Sequence, residues 1–183
     1  MQTQTFNVAD ALRLGIEKFE SKDWSNAKKL LEPLANLGNR RAQTYLVQIY
    51  WRGGEEIDLR TAAIMQRKLN EAFGGQSNIL EIGMFREALI LLEIEDEADN
   101  NRLNVLFKNM KESRYDKGLV LAASIAKSSR IDNRLSEKPL SIYFRAFKYA
   151  RSMPQKIRIL FLMMFEYIKP SSGNNFKPQK FDN

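Results

Sequence analysis

Three carboxylates, Glu55, Glu56 and Asp58, follow a double glycine at Gly53-Gly54. Oxygen ligands grouped in this way can hold calcium or magnesium. The competing reading is structural: Asp58 caps a helix starting near Leu59, and the other two acids sit close to that helix's positive end. A phosphate loop is excluded, because such a loop follows a strand and ends in Lys and Ser/Thr, whereas Gly53-Gly54 follows a helical stretch and leads into acids. A second acidic run, Glu93, Glu95, Asp96, Glu97 and Asp99, lacks the glycine that gives a calcium loop its sharp turn. It reads as a solvated interhelix corner, able to present negative charge to a basic partner.

The chain of 183 residues contains neither cysteine nor histidine. Thiolate chemistry, disulfides, the commonest general base and nearly every transition-metal site are thereby removed. Catalysis would have to rest on carboxylates, Lys, Arg or Tyr, and no catalytic residue, metal or cofactor is assigned. The net charge of +7 is concentrated late, with 14 basic against 5 acidic side chains from residue 113 onward. There Arg145, Lys148, Arg151, Lys156 and Arg158 interleave with aromatics. On a helix Arg145, Lys148 and Ser152 fall near one another, with Arg151 alongside, while Phe144, Phe147 and Ala150 turn the other way. Such a surface suits an acidic protein, a nucleic-acid backbone or an anionic membrane, and nothing in it reads bases.

Apolar residues recur at helical spacing almost throughout, which predicts an all-α chain. Helices are expected over 8–21, 24–37, 40–52, 58–73, 78–93, 97–111, 114–128, 139–151 and 154–168. Asn7 with Asp10, Asp23 and Ser77 offer caps at helix starts; Gly38, Gly53 and Gly74 mark helix ends, where glycine permits a left-handed turn. Pro139 and Pro154 suit first helical positions, whereas Pro33 should kink or interrupt its helix. The composition from residue 170 onward is that of a disordered tail. The most apolar stretch, 157–168, is too short for a spanning helix. From Ile159 to Ile168 it is apolar nearly all round, which calls either for a central position or for cover by a second copy of the chain in a homodimer or by a partner. The first twenty residues show no secretory signal pattern, so a cytoplasmic location is expected.

Repetition orders the first half. Ala42, Leu46, Val47 and Tyr50, followed by Gly53, Asp58, Ala62, Ala72 and Gly74, echo Ala11, Gly15, Ile16 and Phe19, followed by Asp23, Ala27, Ala35 and Gly38. A fainter copy has Asn78, Ile82, Gly83 and Ala88. The offsets of 31 and 36 residues bracket the period of about 34 typical of tetratricopeptide arrays. Small residues let paired helices approach closely, and the aromatic fills the gap beside them.

The unit at residues 42–74 resembles a Sel-one-like repeat, a relative of the tetratricopeptide repeat, with Val47 where the family has glycine. The resemblance implies a short α-solenoid of about nine helices in stacked antiparallel pairs, acting as a non-enzymatic scaffold or adaptor for another protein. It carries no catalytic residues. The face it would offer as a groove comprises Leu14, Glu17, Tyr45, Gln48, Arg52, Glu81 and Met84. The expected organisation is a repeat region over 1–112, a basic helical region over 113–169 and a tail over 170–183. The alternative function is nucleic-acid or anionic-surface binding through the basic last third.

Overall fold

The computed structural model describes residues 7–72, 77–126 and 138–168. Among them all regular structure is helical, with nine α-helices and no strand: α1 (Val8–Glu20), α2 (Trp24–Asn36), α3 (Arg40–Arg52), α4 (Leu59–Ala72), α5 (Ser77–Ile94), α6 (Asn100–Glu112), α7 (Asp116–Ile125), α8 (Pro139–Tyr149) and α9 (Met153–Ile168). Gly74, the Ser77 side chain and the tail from residue 170 lie outside the described residues. Packing divides the chain into two compact units, 1–74 and 75–183. Within the second unit, α5, α6 and α7, on either side of residue 112, pack on one another.

In the first unit each helix packs against the next, α1 on α2, α2 on α3 and α3 on α4, while α1 also touches α3. Asn7 starts α1 by accepting from the Ala9 amide at 3.0 Å and donating to Asp10 at 2.7 Å. The α1–α2 turn has no glycine: Lys22 adopts φ 62° there, and the Asp23 amide reaches back to the Lys18 carbonyl at 2.9 Å. Asp23 itself does not cap α2 through its side chain. It instead accepts from the Asn26 amide group at 2.9 Å and pairs with Lys18. Pro33 does not interrupt α2, which runs on to Asn36. It stands in the last turn, on the exposed side, where water can meet the carbonyl that loses its amide donor. Gly38 then takes φ 84°, and Asn39 caps α3 by accepting from the Ala42 amide at 3.0 Å.

The small residues of the repeat are the contact points of this unit. Ala11, Ala27, Ala35 and Ala42 are buried with Leu31, Leu34, Leu46 and Ile49, and Phe19, Trp24, Tyr45 and Tyr50 pack around them. Gly15 faces Leu31 so closely that a Cβ there would lie 2.7 Å from Leu31 Cδ2. The Phe19 ring meets Trp24 and Tyr45 edge-on, with centroids 5.2 and 4.8 Å away.

The second unit is built on α5, which buries Met84, Phe85, Ala88, Leu89, Ile90, Leu91 and Leu92. A fully buried carboxylate, Glu87, lies on the same helix and accepts both Nε and a terminal nitrogen of Arg102 on α6, at 2.7 and 2.9 Å. Helix α7 packs on α8 and α8 on α9. The Ser124 and Tyr143 hydroxyls meet at 3.0 Å between α7 and α8.

Candidate functional site

The two glycines of the α3–α4 turn serve different needs. Gly53 ends α3 with φ −84°, outside the left-handed region. Its amide bonds the Ile49 carbonyl at 2.7 Å, and a Cβ would stand 2.5 Å from that same oxygen. The left-handed residue is Gly54, at φ 62°, which opens a short 3-10 turn, Gly54–Glu56. Asp58 then accepts from the Thr61 amide at 3.0 Å, so its carboxylate caps α4. Glu56 reaches back to Lys28 on α2, 2.7 Å from oxygen to Nζ, while Glu55 points to solvent. The three acids thus diverge into a cap, an ion pair and a solvated side chain. Among the described residues no grouping of acids is placed to hold a metal. In the later acidic run, Asp96 caps the 3-10 turn Glu97–Asp99 by accepting from Ala98 at 2.8 Å, and Glu95 makes the bend at φ 56° without glycine.

These bonds set the local electrostatics. The amide of Thr61 holds the Asp58 carboxyl below the usual carboxylate value, the Lys28 ammonium does the same for Glu56, and Glu56 raises Lys28 in turn. A carboxyl whose folded value is lowered stabilises the fold fully above its unfolded value, and that contribution is lost as pH falls through the folded one. Asp58→Ala is therefore expected to cost about 1 kcal/mol at neutral pH. Asp58→Asn, which keeps the accepting oxygen, should restore most of that loss while flattening the pH dependence below about pH 4. Urea unfolding at a series of pH values checks both.

Behind the turn, α2, α3 and α4 enclose an open cleft of about 430 Å³. Its apolar floor includes Leu46, Met65 and Leu69, and its rim carries Glu32, Asn36, Gln43, Tyr50 and Lys68. The rim is held in place: the Tyr50 hydroxyl donates to Glu32 at 3.0 Å and Gln43 donates to the Ala35 carbonyl at 2.9 Å. The Lys28 ammonium lies 5.0 Å from the Tyr50 ring centroid. Burial, followed by the Glu32 hydrogen bond, pushes the Tyr50 phenol above its ordinary value. The Tyr50 phenol is thereby held as the donor to Glu32.

Of the seven residues expected to form a groove, five lie in the first unit and two, Glu81 and Met84, in the second. None lines the cleft. Leu14 and Glu17 are exposed on α1. On α3, Tyr45 and Gln48 are half-buried, Tyr45 packing its ring on Phe19, while Arg52 is exposed and stacks at 3.9 Å over Trp51. Those five share the α1 and α3 layer of the first unit. Within the second unit, Met84 is buried on α5 and Glu81 accepts from the Arg114 amide at 3.2 Å.

The basic surface is also redistributed. Helix α8 stops at Tyr149 with Ala150 extended, so Arg151 stands beyond the helix that carries Arg145 and Lys148. Lys148, Arg151 and Arg158 are exposed, whereas Arg145 and Lys156 are half-buried. Phe144 faces outward rather than into the core; Ile142, Tyr143 and Ala146 take the inner positions. Nor is α9 buried all round: Ile159 and Met163 point inward, while Leu160, Phe161 and Met164 are exposed.

Within its first unit, then, the chain is a stack of consecutive helix pairs whose polar groups cap, brace and rim a cleft. No family model, curated protein or solved structure matches the chain.

Proposed function

We propose that this chain is a non-enzymatic adaptor that holds a segment of a partner protein in the cleft between α2, α3 and α4. The carrying observation is the cleft itself, apolar at its floor and rimmed by hydrogen-bonding groups already fixed by the scaffold. Sites on helices whose rotamers are locked by neighbouring bonds lose little freedom on binding. An open, mixed-polarity cleft suits a peptide segment better than a small metabolite, whose pockets are mostly apolar and enclose the ligand. The resemblance of residues 42–74 to Sel-one-like repeats supports the same class of function.

Asn36 and Lys68 are exposed at the rim, so an Asn36→Arg, Lys68→Glu double variant should fold normally. Cross-linked capture from the native cell, quantified by mass spectrometry, should show the partner's yield falling at least tenfold with this variant at unchanged helicity. Loss of the partner on replacing Tyr45 and Gln48, with capture by the rim variant intact, would place binding on the α1 and α3 layer instead.

A further inference from the structure

Helix α9 carries an exposed apolar stripe. Met153, Ile157, Leu160, Phe161 and Met164 are 67%, 48%, 45%, 58% and 57% exposed, and their spacing of four, three, one and three residues puts them on one side of the helix. The opposite side is spent on the unit's own core, through Ile159 and Met163. Lys156 and Arg158 stand one residue either side of Ile157, so they project about 100° to its left and right and flank the stripe. The Lys156 ammonium rests 5.5 Å from the Phe147 ring centroid. Between residues 138 and 164 there are six Lys or Arg and no Asp or Glu.

We propose that α9 is an interfacial helix that lays this stripe onto an anionic lipid bilayer surface, with Lys156, Arg158 and the neighbouring Arg151 and Lys148 meeting the headgroups. A stripe of Ile, Leu, Met and Phe edged by long cationic side chains has the chemistry of a helix lying in the membrane plane: the apolar side enters the acyl boundary and the cations remain at headgroup level. Charge selects this occupant over the others. A second copy docking through the same face would bring like charge toward like, because a two-fold interface meets itself and residues 138–164 carry an excess of six cations. A nucleic-acid backbone would satisfy the cations and leave the apolar stripe in water. No described helix is long and apolar enough to cross a membrane, so the attachment is peripheral.

The full chain should co-sediment with phosphatidylcholine vesicles that contain phosphatidylserine and stay in the supernatant with phosphatidylcholine alone. Each cation near such a surface contributes about fivefold in affinity, so Lys156→Gln with Arg158→Gln should weaken binding at least tenfold. Leu160→Ser with Phe161→Ser should abolish it at unchanged circular dichroism; if that pair unfolds, Ile157→Ser with Met164→Ser tests the same stripe. Equal binding to neutral vesicles, no co-sedimentation, a dimer that the serine variants dissolve, or duplex DNA binding that those variants leave intact would each overturn the proposal.

Discussion

Replacing Arg102 with Met is expected to destabilise the fold by about 3–5 kcal/mol, because it removes the cation from a carboxylate that has no exposure to water. Two charge-assisted hydrogen bonds, at 2.7 and 2.9 Å, go with it. The pair is an organising contact between α5 and α6, not a net source of stability: removing both charges, as in Glu87→Leu with Arg102→Met, should recover most of the loss. Urea unfolding of the two variants distinguishes these terms. A cost below about 1 kcal/mol for Arg102→Met would mean that the pair is already solvated.

The second large effect concerns the close approach of α1 and α2. Leu31 is fully buried, and Leu31→Ala should cost about 2–5 kcal/mol through lost burial and the cavity left behind. Gly15→Ala alone should also destabilise, since its methyl would stand 2.7 Å from Leu31 Cδ2 and 2.8 Å from Cγ. Combined, the two changes should cost clearly less than their sum, because the new methyl enters the space that Leu31 vacates. Both tryptophans, Trp24 and Trp51, lie in the first unit, so their fluorescence follows this cycle directly. Additive costs would show that the small residue at this repeat position has another role.

What the sequence disclosed was largely what is local. Asn7 and Asp58 cap helices within three residues of themselves, so residue type and position suffice to find them. The repeat of Ala and Gly at helical spacing likewise revealed the packed face of α1 to α4. Lys22 and Glu95 went unrecognised as turn residues because nothing in an ordinary charged side chain signals a left-handed backbone. The cleft was hidden for a different reason: Lys28 meets Glu56, and Glu32 meets Tyr50, across 28 and 18 residues of chain. Tyr50 had a sufficient account as a packing aromatic, and its hydroxyl partner becomes visible only when α2 and α3 lie side by side.

Two helices show what periodicity leaves open. Helix α5 packs against both α6 and α7, and Met84 is buried on it. Helix α9 is apolar nearly all round, yet the unit covers only the side that carries Ile159 and Met163. Periodicity tells how many sides of a helix are apolar. It does not tell how many the rest of the fold will cover.

The central claim is that a partner segment lies in the α2–α3–α4 cleft, and site-specific photo-crosslinking in the native cell tests it most directly. A crosslinker at position 36 or 68 should capture one and the same partner peptide, while one at position 14 or 17 on α1 should not. Capture of that peptide from α1 with none from the cleft rim would contradict the account.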